Sequence, residues 1–230
     1  MFLEDFARRA NKIISEYPEP NQYLKGRGIT ESDIKDFCIG YMRIVNIKAE
    51  DSEDYRVLSG DTYEFKSLQK KLVFPLRNIL GAVNGLCTRD IVQKRYNQYF
   101  LSEARKIGAF FGLFEALPHI YRTRKVFVHE GAIDAISFAK VFKNSVSSLT
   151  SFLNEAQYEF LSLICDKIIL VYDDDDAGHT GERKMKEYYG NKKIESVFIG
   201  TDDSNTYLRV LGPQKFDTYI RSKIPKYLHN

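Results

Sequence analysis

The chain has 230 residues, of which 43% are hydrophobic and 28% charged, and carries a net charge of +3. This is ordinary for a soluble protein with enough length to bury a core as one large or two small domains. The apolar stretches are broken by charges well short of 18 residues, which argues against a membrane-spanning helix. The isolated Cys38, Cys87 and Cys165 argue against a zinc ribbon or a disulfide framework and read as small buried hydrophobes in a reducing compartment.

Residues 2–16 have the spacing of an amphipathic helix stopped by Pro18 and Pro20. Acids and bases mix there from the first turn, so the segment does not read as a secretory leader and a cytoplasmic location is expected. A short helix over 21–27 ends at Gly28. Thr30, with Asp33 three residues on, has the pattern of a capping box and starts a helix over about 31–37. IGYMRIVNI has the composition of a strand, and the polar stretch 48–66 that of a surface loop. KLVFPLRNILGAVNGLCTRDI reads as strand, turn, strand, with the turn around Asn78–Gly81. Between Lys66 and Lys106 nine basic residues face only Asp90 and Glu103, a local excess of seven positive charges. Such a concentration suits a polyanion, although a solvated face has the same composition.

Beyond residue 126 the pattern changes. VFVHE, NSVSSL, KIILVY and IESVFI are strand candidates, separated by helical AIDAISFAKVF, a helix near 155–165 capped by Asn154 and Gln157, and a charged helix near 179–189. KIILVY is nearly all apolar, as expected of a strand covered on both faces. This alternation predicts a parallel α/β sheet. A domain boundary falls near 118–125, and a closing helix starts near Pro213.

Ligand sites of parallel sheets lie beyond the carboxyl ends of strands. Glu130 ends the first of these strands, and Asp173 to Asp176 end the third. In extended chain, residues two apart face the same way, so Asp173 and Asp175 face one site while Asp174 and Asp176 point elsewhere. Clustered carboxylates favour a bound hard cation such as Mg2+, which can hold phosphate oxygens for in-line attack. A capping turn at the next helix is the plainer reading of the four acids. Asp134, one helical turn past Glu130, is a brace for the site or a surface acid. Asp203 and Asn205 form a weaker acidic point after the fourth strand.

These residues resemble the Toprim signature: a glutamate at a strand end, then an Asp-x-Asp, then a later aspartate. YLKGRGITESDIKDFCIGY, KLVFPLRNILGAVNGLCTR, ARKIGAFFGLFEA, VFVHEGAIDAISFAK and SSLTSFLNEAQYEFLSLICDKIILVYDDDDAG also resemble, in family order, segments of the catalytic core of bacterial DnaG-type primases. The resemblance implies an RNA polymerase that makes short primers on single-stranded DNA from NTPs. It implies that Glu130, Asp173 and Asp175 hold Mg2+ or Mn2+, that Asp203 extends the site, and that Asp134 and Asn205 support it. Asn205 stands where the family has a second late aspartate, and Thr150 where it has a glycine. Arg77, Arg89, Lys94, Arg95 and Lys106 match or neighbour the family's basic platform. Gln98 stands where a lysine is usual. Phe and Tyr of YNQYF are candidates for base stacking, although core packing is the plainer role.

The expected architecture is therefore α/β: an N-terminal mixed α+β basic subdomain over 1–120, a Toprim-like parallel-sheet domain over 121–210, and a helical tail over 211–230. The family's N-terminal zinc-binding module and C-terminal helicase-binding domain have no counterpart here. No structural zinc is expected, and a helicase and a separate zinc module are expected partners. Two rival classes share parts of the pattern. A Toprim nuclease has the acids without the basic segments. A non-enzymatic nucleic-acid binder, whether a reduced primase or a recombination mediator with a cysteine zinc site, binds without chemistry.

Overall fold

The computed structural model describes residues 2–42, 70–93, 95–100, 109–190 and 193–227. The chain forms two compact units, Met1–Phe111 and Gly112–Asn230. No helix among the described residues is long and apolar enough to cross a membrane.

In the first unit α1 (Phe2–Ile13) turns Leu3, Phe6, Ala7 and Ala10 inward, the i, i+3, i+4, i+7 stripe of an amphipathic helix. A 3-10 turn, Ile14–Glu16, continues it. Pro18 opens α2 (Pro18–Gly26) rather than only ending what precedes it. At a first helical position its missing N–H costs no bond and its fixed φ already suits the helix. The capping box at α3 (Glu31–Asp36) is present, with Thr30 Oγ1 accepting from Asp33 N at 3.2 Å and Asp33 Oδ2 accepting from Thr30 N at 2.7 Å.

Four antiparallel strands follow in the order β1 (Gly40–Met42), β2 (Lys71–Arg77), β3 (Val83–Asp90) and β4 (Tyr96–Phe100). β1 pairs only as far as Val73, so Pro75 in β2 lies beyond that ladder and its missing N–H breaks no bond there. Helix α1 lies so close to β1 that a Cβ on Gly40 would sit 2.6 Å from the Ala10 backbone. The turn between β2 and β3 falls where expected. Asn78 Oδ1 accepts from Leu80 N and Ala82 N, and Gly81 takes a φ of 85°. β4 was not expected as a strand: the aromatics of its YNQYF sequence read as core packing or as candidates for base stacking, and the segment pairs with β3 at the end of the sheet. Most of the expected strand past Met42, and the polar loop 48–66, lie outside the described residues.

The second unit opens with α4 (Leu113–Thr123), with Pro118 inside it. Then come β5 (Lys125–His129), α5 (Ala132–Ala139), β6 (Ser145–Ser147), α6 (Glu155–Ile164), β7 (Lys167–Tyr172), α7 (Asp176–Tyr189), β8 (Ile194–Phe198) and α8 (Ser204–Lys223). All four strands are parallel, in the order β6-β5-β7-β8. The chain moves from β5 to one side and later to the other, so the order reverses between β5 and β7. Open α/β sheets bind ligands at such a switch point, because the loops leaving the two strands part there. The α8 run breaks at Gly212, with φ 74° and ψ 165°, and Pro213 begins its second half. Phe216, Ile220, Ile224 and Tyr227 then join Phe127, Phe138 and Ile169 in one core cluster. The tail is thus part of the second unit's core.

Candidate active site

β5 ends at His129 and β7 at Tyr172, on adjacent parallel strands. Glu130 and Asp173 are the next residues of each, so the register alone carries both carboxylates to the switch point. A cavity of about 600 Å³ opens there, bordered by Glu130, Asp134, Asp173, Asp175, Asp176 and Asp203 among others. The expected partners Glu130, Asp173 and Asp175 are thus brought together. Asp174 turns away and meets His179 Nε2 at 2.9 Å. Asp176, expected to turn away as well, borders the cavity, because the helix starts there and strand alternation stops applying.

Crowding shows in the electrostatics. The Asp173 carboxyl is pushed up to about 6, first by burial and then by Asp203, Asp175, Glu130 and Asp202. Two of the acids also hold helices. Asp175 caps α7, its Oδ1 accepting from Gly178 N at 2.7 Å, and Asp203 caps α8, its Oδ1 accepting from Thr206 N at 2.6 Å. The capping reading and the site reading of these residues are therefore compatible, since a cap leaves the second carboxylate oxygen uncommitted by that bond.

Neighbouring residues fix the acids in place. Ser147 Oγ donates to the Glu130 carbonyl at 2.8 Å and accepts from Leu149 N at 3.0 Å. This ties the end of β6 to the glutamate and braces Leu149, which has a φ of 62°. The left-handed position thus falls on Leu149 and not on Thr150. Gly178 is forced by space, since a Cβ there would meet the Asp173 carbonyl oxygen at 2.1 Å. Asp134 Oδ1 accepts from Asn205 N at 3.2 Å, and its other oxygen lies 2.5 Å from where a Gly131 Cβ would stand. Asn205 does not border the cavity. Its side chain is buried and donates to Ser137 Oγ at 3.0 Å, pinning α8 to α5. The sequence pattern missed Ser147 and Gly178, although a glycine at a strand-to-helix turn was available as a signal. His129, also at the cavity, is fully buried and held neutral, its pKa pushed down by burial to about 3.

Among the described residues no three His, Cys, Asp or Glu side chains already converge as a metal-binding group. The donor set is nevertheless all carboxylate oxygen in an open cavity. That fits a hard ion that keeps several of its waters and needs no closed cage.

Residues 127–208 match the Toprim-like family model. The chain is 24% identical over 229 residues to a DNA primase of Haemophilus influenzae, covering 89% of this chain and 38% of that protein. The described fold superposes on the DnaG catalytic core with a TM-score of 0.77 at 22% identity, covering 96% of this chain and 77% of that one. The chain has the fold of a DnaG-type primase catalytic core. A DnaG primase catalytic domain bound to single-stranded DNA is also similar, with a TM-score of 0.71 at 20% identity over 96% of this chain and 76% of that one. The chain spans less than half the length of the curated primases it matches.

The basic residues expected to form a platform are disposed differently within the first unit. Arg77 donates to the Asp36 carbonyl at 2.7 Å, joining β2 to the end of α3. Arg89 donates to Tyr96 Oη and lies over the Tyr96 ring, 4.4 Å from its centroid. Burial opposes its charge, but Tyr96 and Tyr23 outweigh that and raise its pKa. Arg95 is exposed. Lys94 and Lys106 lie outside the described residues.

Proposed function

We propose that the chain synthesises short RNA primers on single-stranded DNA by metal-dependent nucleotidyl transfer from NTPs. The observation that carries this is the group of carboxylates at the switch point, where burial and then the neighbouring acids push Asp173 up to about 6, in a chain with the primase-core fold. Glu130, Asp173, Asp175 and Asp203 would hold Mg2+ or Mn2+. Such an ion supplies positive charge to nucleotide phosphates and to the charge that develops as pyrophosphate leaves. The chain's own contribution is positioning, because phosphoryl transfer leaves little covalent work to the protein. Ser147 sets the Glu130 backbone, and the cap at α7 sets Asp175. The exposed Arg95, with Lys94 and Lys106, would supply the phosphate contacts of the template. Single-stranded DNA is the template partner in this reading, and a helicase and a zinc-binding module are further proposed partners.

The test is incubation of the chain with single-stranded DNA, labelled NTPs and Mg2+ or Mn2+. Short RNA products are expected, and they are expected to vanish in Asp173→Asn. Cleavage of the DNA would support a nuclease, and binding without either product would support a non-catalytic binder.

A further inference from the structure

Helix α7 starts at the carboxylates and leads away from them. Ala177, Gly181 and Lys184 border the acidic cavity, and Tyr188 continues the same helical stripe. Phe152 and Lys184 border both that cavity and a neighbouring groove of about 380 Å³, which Glu187 and Tyr188 complete. The two spaces are therefore continuous along one helix face. From Ala177 to Tyr188 the helix rises roughly 16 Å, several times the 3.4 Å per nucleotide of a strand in duplex.

Tyr189 packs against two of the residues that line the groove, Phe152 and Tyr188. Tyr189 stacks on Tyr158 at 4.2 Å and donates to the Leu153 carbonyl at 2.9 Å. Tyr188 meets Tyr189 and Phe152 edge-on, at 4.7 and 6.0 Å. Both contacts are T-shaped, and Tyr188 stays 66% exposed. Lys184 is exposed and makes no ion pair among the described residues. An open aromatic ring next to an unpaired cation, continuous with an acidic cavity, has the chemistry of a base-and-phosphate track.

We propose that Tyr188, Phe152 and Lys184 form a binding track for single-stranded nucleic acid leading out of the acidic cavity. An unpaired base stacks on Tyr188, and Lys184 holds the adjoining phosphate. A duplex does not fit this chemistry, because its bases are already stacked on each other. Glu187 borders the same groove and offers an acceptor for a base's exocyclic amine. This inference rests on the reading of the cavity as a nucleotidyl-transfer site.

The test uses the whole chain and an oligodeoxynucleotide carrying one 5-iodouracil. Irradiation is expected to crosslink it to Tyr188 or Phe152, located by peptide mass spectrometry. In anisotropy titrations Tyr188→Ala is expected to weaken binding about fivefold or more, with Tyr188→Phe close to wild type. Lys184→Ala is expected to flatten the salt dependence by about one unit of slope. An oligonucleotide with abasic residues is expected to bind the wild type and Tyr188→Ala alike. Wild-type affinity in Tyr188→Ala with primer synthesis intact overturns the track and leaves the proposed activity standing. So does a Tyr188 effect on free NTP binding with none on the strand. A chain that binds no single strand and makes no primer overturns both.

Discussion

Asp173 and Glu195 are carboxylates of one parallel sheet, and the fold treats them oppositely. Glu195, on β8, accepts from Lys167 at 2.5 Å, Lys226 at 2.6 Å and Tyr227 at 2.5 Å. Asp173, just past β7, faces Asp203, Asp175, Glu130 and Asp202. Burial raises both, but donors outweigh it at Glu195 and bring that carboxyl down to about 2, whereas at Asp173 the neighbouring acids add to burial and the carboxyl stands at about 6. One negative charge is settled within the fold, and the other is left for something from outside to settle. The first unit repeats the first pattern with the opposite sign, since Arg89 is held by Tyr96. Charge clustering alone therefore does not mark a site; charge left without internal compensation does.

The largest expected effect comes from neutralising the uncompensated charge. Asp173→Asn is expected to lower primer synthesis by at least about 100-fold, the scale of removing one preorganised charge-stabilising group. The same change removes repulsion among the acids, so without added metal the melting temperature is expected to rise by about 2–4 °C, equivalent to about 1 kcal/mol. Scanning calorimetry beside the activity assay checks both. A fall in stability would mean that Asp173 is compensated within the fold after all.

Asp175 caps α7 and borders the acidic cavity, and two substitutions separate the cap from the proposed metal role. Asp175→Asn keeps an acceptor for Gly178 N and is expected to lose activity with its melting temperature within about 1 °C of wild type. Asp175→Ala also loses the cap and is expected to be about 1 kcal/mol less stable. Equal stability of the two variants would sever the cap from the fold's stability.

The arginines sharpen the comparison in the first unit. Arg89→Ala is expected to cost about 1–3 kcal/mol of stability, since it removes a half-buried group stacked on and bonded to Tyr96. Arg95→Ala, at an exposed side chain, is expected to leave stability unchanged while lowering the salt slope of DNA binding by about one. Urea titrations and anisotropy at several salt concentrations separate these. A reversed pattern would make Arg89 the phosphate contact.

The legible part of the molecule is what short-range pattern controls. The alternation of apolar strands and amphipathic helices gives the parallel sheet, and strand ends give Glu130 and Asp173. Capping signatures at Thr30–Asp33 and Asn154–Gln157 are equally local and are present as expected. What escaped depends on partners distant in sequence. Asn205 looks like a member of the acidic arm, but Ser137, 68 residues earlier, takes its side chain. The partner of Arg89 is equally hidden in the sequence, since only the pairing of β3 with β4 brings Tyr96 opposite it. Ser147 is an ordinary strand residue until β5 places the Glu130 carbonyl beside it. Asp176 was misjudged for a local reason, because the period changes from 2 to 3.6 at that residue.

The smallest expected effect is at Glu195, the compensated counterpart of Asp173. Its folded pKa, about 2, lies below its ordinary value of 4.5. The unfolded chain therefore binds the extra proton first as pH falls. The stabilisation is complete above about pH 4.5 and is lost as pH falls towards 2. The side chain is 22% exposed, and two of its donors are partly exposed lysines screened by water and salt, so the contribution is about 1 kcal/mol. Glu195→Gln should lower stability at pH 7 by about that amount and reduce the further loss between pH 4.5 and 2.5, measured by urea unfolding at both ends. Lys226 and Tyr227 lie in the last turn described, so the acidic limb also reports how firmly the C-terminal segment is tied to β8. An unchanged limb in Glu195→Gln would place the acid sensitivity elsewhere and remove the contrast with Asp173.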